Sequence, residues 1–189
     1  MKSKAIRATV LGADVSRSRS PHIHNAAFAA LGVQGMYDAV SVTGPNFRKT
    51  VRALFAQGHR YVNVTIPHKR LAAALADKCS TAVEMTGAAN TLVLRPNGDV
   101  FADNTDGDGI LRALELLGAP VGPKNQVLLV GAGGAAAGAL FAFAMRGAQI
   151  TLLARRVAQA SALKRRMPER LRGKIKVTTL DAPRLEQAL

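Results

Sequence analysis

The stretch Gln126-Val-Leu-Leu-Val-Gly-Ala-Gly-Gly-Ala-Ala136 joins a short apolar run to a glycine-rich turn. The turn fits the pattern G-x-G-x-x-G/A, which indicates a dinucleotide site when it follows a strand and opens a helix. Gly131 permits the tight turn, Gly133 lets the backbone approach a pyrophosphate, and Ala136 allows close packing of helix on sheet. The helix N-terminus then holds the phosphate charge. The stretch predicts the first unit of a Rossmann-type domain; a plain glycine-rich turn is the alternative.

The end of the next predicted strand indicates which dinucleotide binds. In NAD-binding domains an acidic residue, about 20 positions beyond the first glycine, bonds the ribose 2′-hydroxyl. Here that place holds Ala154-Arg155-Arg156. Two guanidinium groups suit a 2′-phosphate, so the residues favour NADP. The alternative is that both arginines are surface charges.

Strand-like and helix-like segments alternate along the chain. Strands are predicted at 5–12, 36–42, 61–66, 90–94, 100–103, 126–130, 149–153 and 175–179. Helices are predicted at 21–31 with Ser20 as cap, at 46–57, 67–77, 108–117, 134–145 and 157–167, and from Asp181 or Pro183 onward. The alternation predicts an α/β protein built on parallel sheets. Pro96-Asn97-Gly98 adds a hairpin turn, which predicts an antiparallel edge on the first sheet.

Polar side chains collect where a parallel sheet presents its pocket, at the carboxyl ends of strands and in the loops beside them. They are Ser18, Ser20, Asn63, Thr65, Lys69, Asn90 and Asp106. Asn63 and Thr65 are two positions apart and face one side of their strand. Each residue alone has a structural explanation, such as a helix cap for Ser20 or Asp106. Beside a dinucleotide site, the set indicates an oxidoreductase that acts on a small polyhydroxylated substrate.

The formal net charge of +14 is uneven, with most of the excess between Arg146 and Leu189. Such an excess suits nucleic acid, an acidic partner or a phosphorylated cofactor. The basic residues follow helical spacing and lack interleaved aromatic residues that stack on bases. We therefore interpret them as a solvated face and predict no nucleic-acid partner.

Other features of the composition bear on location and metals. The single cysteine, Cys79, excludes an internal disulfide and fits a reducing compartment. No apolar run reaches the roughly 18 residues of a membrane span, and no apolar segment follows the N-terminal lysines to make a secretory signal. The four histidines lack the spacing of a metal site. The sequence therefore predicts a soluble, cytoplasmic protein with no metal and no membrane contact.

The segment Gly118-Ala-Pro-Val-Gly-Pro123 marks the predicted domain boundary. Residues 1–117 then form a substrate-binding catalytic domain, and residues 118–189 form a dinucleotide-binding Rossmann domain. A doubly wound dinucleotide domain has about six strands, and only half that number is predicted here, so the domain is expected to be C-terminally incomplete. Its third strand would be left as an exposed edge, or the domain would borrow a partner chain, and the second alternative corresponds to a homodimer. Such a chain should bind substrate, self-associate and show little or no dehydrogenase activity.

Five segments together closely resemble the shikimate dehydrogenase family, which includes shikimate 5-dehydrogenase and shikimate/quinate dehydrogenase-like proteins. They are Ser18-Arg-Ser20-Pro21 with His24-Asn25, Asn63-Val-Thr-Ile-Pro-His-Lys69, Gly87-Ala-Ala-Asn90-Thr91, Asn104-Thr-Asp106-Gly107 and the glycine-rich turn. The family reduces 3-dehydroshikimate to shikimate with NADPH, in the chorismate pathway of aromatic amino acid biosynthesis. The resemblance therefore implies an NADP-dependent oxidoreductase.

The resemblance also implies a role for each matching residue. Lys69 and Asp106 correspond to the catalytic pair and also contact substrate. Ser18 and Ser20 correspond to ligands of the substrate carboxylate, and Asn63, Thr65 and Asn90 to residues that hold its hydroxyls. Gly131, Ala132, Gly133, Gly134 and Ala135 correspond to the pyrophosphate site. Arg155 corresponds to a ligand of the 2′-phosphate. The family's second phosphate-binding arginine is replaced by Gln159, so Arg156 is the residue available to substitute for it.

Several alternatives remain open from the residues. Quinate or aminoshikimate would differ from shikimate at ring substituents that one or two pocket residues read. A truncated, non-catalytic module that binds substrate is a different class of function. The residues also leave open whether Asp106 orients Lys69 and the substrate or takes part in proton transfer.

Overall fold

The computed structural model describes residues 5–181. The chain divides into two compact units. The first consists of the chain up to Ser80 together with Ala88–Asp103, and the second consists of Thr81–Gly87 together with the chain from Asn104 onward. Each unit is an α/β structure around its own sheet, which confirms the predicted fold class.

The first unit contains a mixed six-stranded sheet with the order β2-β1-β3-β5-β6-β4. Its strands are β1 Ile6–Gly12, β2 Gly35–Ser41, β3 Tyr61–Val64, β4 Lys78–Cys79, β5 Thr91–Leu94 and β6 Val100–Asp103. Its helices are α1 Ser20–Ala30, α2 Phe47–Ala56 and α3 Lys69–Leu75, with a 3-10 turn at Gly44–Asn46. Strand β1 pairs in parallel with β2 and β3, whereas β3–β5 and β5–β6 are antiparallel.

Burial explains why this unit folds as it does. Strand β1 lies between two parallel neighbours and is buried from Ala8 to Gly12, as is usual for a strand inside a parallel sheet. Helix α2 buries Phe47, Val51 and Leu54, which are four and three positions apart and so share one face. Full burial of each such side chain contributes about 1.5–3 kcal/mol.

The second unit contains a parallel three-stranded sheet with the order β7-β8-β9. Its strands are β7 Gln126–Val130, β8 Gln149–Ala154 and β9 Ile175–Thr179. Its helices are α4 Thr81–Thr86, α5 Asp106–Leu116, α6 Gly134–Met145, α7 Val157–Arg166 and α8 Glu169–Arg172. Neighbouring strands joined by crossover helices reproduce one half of a Rossmann sheet.

Helix α6 is the central helix of the second unit. It contacts β7 and β8 on one side and α4 and α5 on another, so its residues are small or apolar nearly all round. Leu140 of α6 and Leu152 of β8 are fully buried in the core of this unit. Because α5 packs on α6, the division between compact units falls before α5, whereas the predicted boundary at Gly118–Pro123 falls after it. The assignment of functions to 1–117 and 118–189 stays a prediction.

Several local expectations were wrong. The hairpin β5–β6 forms, but β4 pairs in parallel with β6, so the hairpin is not the sheet edge. Ser20 does not cap α1, since the N-cap residue is Arg19 and no side chain caps the helix. Three short elements, β4, α4 and α8, were not predicted. They have two, six and four residues, which are too few to produce a periodic pattern in the sequence. The helix predicted beyond Asp181 lies outside the described residues.

Within residues 5–181, none of the helices is both long and apolar enough to cross a membrane.

Candidate active site

Two of the predicted substrate residues, Asn63 and Asn90, are hydrogen-bonded neighbours. Asn63 Nδ2 donates to the Asn90 carbonyl oxygen at 3.3 Å and to Thr91 Oγ1 at 3.2 Å. The antiparallel pairing of Asn63 with Thr91 across β3 and β5 sets this contact. Asn63 Oδ1 accepts a hydrogen bond from the hydroxyl of Tyr37 at 2.7 Å. The Asn63 side chain is therefore oriented by the sheet and by Tyr37.

Tyr37 is a site residue that sequence reasoning missed. It is 3% exposed, and the ring of His24 stacks on it with centroids 4.2 Å apart. Asn25 fixes its backbone, because Tyr37 N donates to Asn25 Oδ1 and Asn25 Nδ2 donates to Tyr37 O, both at 2.9 Å. The stacking and the clamp give a structural role to the His24-Asn25 pair of the first motif.

The Tyr37 hydroxyl is held in its neutral form. Burial, followed by the nearby charge of Asp38, raises its pKa to about 12, and a hydrogen bond with the Ser20 side chain opposes the rise. At neutral pH the hydroxyl can therefore donate to Asn63. Tyr37 therefore lies beside Ser20, the first residue of α1, and donates its hydroxyl proton to Asn63 in β3.

Ser18 lies in the loop between β1 and α1 and is half-buried, and Ser20 is the first residue of α1. Ser18 Oγ accepts a hydrogen bond from Ser20 N at 3.3 Å, and Ser18 N donates to Val15 O at 3.0 Å. The Ser18 hydroxyl is thus held beside the backbone of Ser20, in the segment that follows the carboxyl end of β1. Hydroxyl donors at such a position suit an anionic or hydroxylated ligand.

The turn after β3 carries Thr65 and Lys69. Thr65 N donates to Leu11 O at 2.8 Å, which places it beside the end of β1. The Ile66–Pro67 peptide is cis. His68 is buried, and its Nε2 is 2.7 Å from the carbonyl oxygen of Val42. Lys69 opens α3.

Lys69 is tied to the turn that carries Asn90. Its carbonyl oxygen accepts a hydrogen bond from Ala89 N at 2.8 Å. In the same segment Val64 N donates to Asn90 O at 2.7 Å. The first unit therefore brings Asn63, Lys69 and Asn90 to the same end of its sheet, where β3 ends and β5 begins.

Asp106 belongs to the second unit, where it is the first residue of α5. Its backbone N–H donates to Asn104 Oδ1 at 3.1 Å, and the buried Asn104 also contacts Thr86 Oγ1 at 3.4 Å. The N-cap residue of α5 is Thr105, so Asp106 is not the helix cap. The position of Asp106 is therefore fixed through its backbone and the Asn104 amide.

The glycine-rich turn has the geometry that an anion site requires. Gly131 has a φ of +105°, which favours glycine, and its N–H donates to Leu153 O at 2.7 Å. Gly133 is the N-cap residue of α6, and apart from Gly133 and its two chain neighbours no atom lies within 4 Å of the place where its β-carbon would be. Ala132 lies in the turn, and Gly134 and Ala135 open the helix. The unobstructed backbone and the helix N-terminus fit a pyrophosphate.

Arg155 and Arg156 directly follow β8, and both are exposed. Val130 is paired in register with Leu153, so the glycine-rich turn and the two arginines leave the sheet at the same edge. Two cations beside a pyrophosphate cradle fit a dinucleotide that carries a further phosphate.

No group of three or more histidine, cysteine, aspartate or glutamate side chains that could hold a metal ion occurs between Ala5 and Asp181.

The topology and these sites define a class of protein: an α/β protein with a polar strand-end pocket in one unit and a Rossmann-type glycine-rich turn in the other. Residues 10–92 match the family model described as the shikimate dehydrogenase substrate binding domain. The shikimate dehydrogenase (NADP(+)) of Dinoroseobacter shibae is 41% identical over 160 residues, which cover 83% of this chain and 57% of that protein.

Solved structures agree with the sequence comparison. A shikimate 5-dehydrogenase from Mycobacterium fortuitum is 34% identical, with a TM-score of 0.79 over 100% of this chain and 68% of its own. Shikimate 5-dehydrogenase from Thermus thermophilus, in complex with NADP(H) and shikimate, is 31% identical, with a TM-score of 0.80 over 92% of this chain and 62% of its own. The chain belongs to the shikimate dehydrogenase family. It spans little more than half the length of the curated relatives that it matches.

Proposed function

We propose that this protein is an oxidoreductase that interconverts 3-dehydroshikimate and shikimate with NADP(H), in aromatic amino acid biosynthesis. The observation that carries the proposal is the hydrogen-bonded set Tyr37, Asn63 and Asn90, at the end of the sheet where Lys69 opens α3. The relatives named shikimate dehydrogenase (NADP(+)) support the same substrate and cofactor.

The substrate carboxylate is bound by the hydroxyls of Ser18 and Ser20. Asn63, Thr65 and Asn90 hold the ring hydroxyls, and each offers a polar group at a strand end. A site built to hydrogen-bond hydroxyl groups discriminates strongly against ligands that lack them, because the buried polar groups are then left unpaired. The rigid Tyr37–Asn63 contact makes this discrimination effective.

Reduction of a ketone requires a proton at the oxygen where alkoxide charge develops, and oxidation of the alcohol requires that proton to be removed. The bound nicotinamide cofactor supplies or accepts the hydride. We assign the proton transfer to Lys69 Nζ. Asp106 is its catalytic partner and contacts the substrate, and its backbone is fixed by Asn104.

The cofactor is NADP. Gly131, Ala132, Gly133, Gly134 and Ala135 provide the pyrophosphate site. Arg155 binds the 2′-phosphate, and Arg156 stands beside it. The exposed guanidinium groups at the end of β8 support this choice over NAD.

The remaining parts of the proposal concern organisation. We assign substrate binding and catalysis to residues 1–117 and cofactor binding to residues 118–189. The protein acts in the cytoplasm, pairs with a second copy of itself, and binds neither nucleic acid nor membranes. The single cysteine supports the reducing compartment.

Binding and turnover measurements test the proposal. Isothermal titration calorimetry should detect shikimate and NADPH binding. The loss of NADPH absorbance after addition of 3-dehydroshikimate then measures whether this chain turns over or, as its half sheet led us to expect, shows little or no activity. Quinate and aminoshikimate serve as competing substrates in the oxidation direction. Binding of shikimate without NADPH would favour a substrate-binding module, and preference for quinate would reassign the substrate.

A further inference from the structure

The side chain of Gln159 reaches the glycine-rich turn from the first turn of α7. Its Nε2 donates a hydrogen bond to the carbonyl oxygen of Ala132 at 2.9 Å, and the side chain is half-buried. On the other side of the turn, Gly131 N donates to Leu153 O at 2.7 Å. The turn is therefore held from two directions, by β8 and by α7.

The contact with Gln159 fixes the direction of one amide group. The Ala132 carbonyl and the Gly133 N–H belong to one planar peptide group, and in a trans peptide they point in opposite directions. Because Ala132 O faces α7, Gly133 N–H points away from α7. Gly133 is the exposed N-cap residue of α6 and has open space around it. The amide is therefore directed toward space that a phosphate can occupy.

We propose that Gln159 is a positioning residue that orients the Gly133 amide toward the cofactor pyrophosphate. The inference rests on the proposed NADP-binding function. It assigns the two phosphate-containing parts of the cofactor to different residues. Gln159 serves the pyrophosphate, which NADPH and NADH share, whereas Arg155 and Arg156 serve the 2′-phosphate, which NADPH alone carries. Loss of the Gln159 hydrogen bond frees the peptide to rotate, so the Gly133 amide meets the phosphate less often.

Gln159→Met tests this, since it keeps the length of the side chain and removes the donor. We expect it to weaken the binding of NADPH and NADH by the same factor, about two- to tenfold, the range for one net hydrogen bond. Binding of adenosine 2′-monophosphate, which has no pyrophosphate, should not change. Gln149→Met at the other end of β8 is the matched control and should affect none of these ligands. Calorimetry provides all the affinities.

Two results would overturn the proposal. A larger loss of affinity for NADPH than for NADH in Gln159→Met would mean that Gln159 contacts the 2′-phosphate. Unchanged affinity for both cofactors would mean that the hydrogen bond from Gln159 does not orient the Gly133 amide for phosphate binding. These results differ from those expected if the protein does not bind NADP at all. In that case the unsubstituted protein would bind neither NADPH nor ADP.

Nuclear magnetic resonance on the unsubstituted protein covers the case in which Gln159→Met fails to fold. Titration with ADP should shift the Gly133 amide resonance. Titration with adenosine 2′-monophosphate should shift resonances of Arg155 and leave the resonance of the Gln159 side-chain amide unchanged. A shift of that amide on addition of adenosine 2′-monophosphate alone would contradict the proposal.

Discussion

Gly107 on α5 lies directly against Gly138 on α6. A β-carbon at Gly107 would be 2.6 Å from the carbonyl oxygen of Gly138 and 2.7 Å from Cβ of Ala142. A β-carbon at Gly138 would be 3.0 Å from Cβ of Asp106. The two glycines let the helices approach closely, and this contact fixes Asp106 relative to the helix that opens at the glycine-rich turn.

Gly107→Ala should therefore displace α5. The obstacle is backbone, which cannot rotate away, so we expect a loss of about 1–3 kcal/mol in the free energy of unfolding, as for other overpacked sites. Turnover should fall as well, because Asp106 moves with the helix, while NADPH binding changes less. Denaturant titration and NADPH-linked assays measure the two effects.

Gly109→Ala is the matched control on the same helix. Gly109 is exposed, and apart from its chain neighbours and the backbone of its own helix nothing lies within 4 Å of its added β-carbon. Alanine has the higher helix propensity, so this variant should be more stable by up to about 1 kcal/mol. Equal destabilisation by both substitutions would show that the contact with Gly138 is not what makes Gly107 sensitive.

Tyr37→Phe should weaken shikimate binding and lower stability. It removes the donor to Asn63 Oδ1 and leaves that half-buried acceptor without its 2.7 Å partner, which costs about 1–3 kcal/mol. Tyr61 is the other tyrosine of the chain and is 43% exposed. Tyr61→Phe should leave shikimate affinity unchanged; a matching loss there would refute a specific role for Tyr37.

The effect of Tyr37 on stability should also depend on pH. Its pKa in the folded protein is about 12, above the ordinary value of 10.0. A raised pKa means that the unfolded chain loses its proton first, so the contribution of Tyr37 to stability is complete below pH 10.0 and is lost as pH rises through about 12. The difference in unfolding free energy between the unsubstituted protein and Tyr37→Phe should shrink across that interval. A constant difference would contradict the assigned pKa.

Sequence patterns predicted the second unit's sheet with little error. Strands Gln126–Val130 and Ile175–Thr179 and helix Gly134–Met145 begin and end where expected. Their apolar runs are easy to recognise, and glycine marks the turn between the first strand and the helix. Local sequence carries this information.

Contacts between distant residues were not predictable in the same way. Tyr37 and Asn63 are 26 positions apart, and nothing in either local sequence indicates their hydrogen bond. Arg166 was interpreted as part of a solvated basic face, yet its guanidinium donates to the carbonyls of Glu84 at 2.9 Å and Met85 at 3.2 Å. The last carbonyls of a helix need such partners, but only the folded chain shows which residue supplies them.

Lys69→Ala should lower turnover by about two to four orders of magnitude, because it removes proton transfer at the reacting oxygen. The affinity for shikimate should fall much less, since Asn63, Asn90 and the serines still bind the ring. Lys124→Ala, an exposed lysine in the second unit, is the control and should be neutral. Near-normal turnover of Lys69→Ala would remove this lysine from the mechanism.

Arg155→Ala should change the choice of cofactor. Loss of a charge-assisted contact with the 2′-phosphate costs about 1.5–3 kcal/mol, roughly a ten- to hundredfold weaker affinity. NADH has no 2′-phosphate, so its affinity should hardly change. The ratio of NADPH affinity to NADH affinity should therefore fall by nearly the same factor as the NADPH affinity. Arg165→Ala, an exposed arginine near the end of α7, lowers the net charge equally and controls for long-range attraction of an anionic ligand. An equal loss for both cofactors in Arg155→Ala would mean that the 2′-phosphate is read elsewhere.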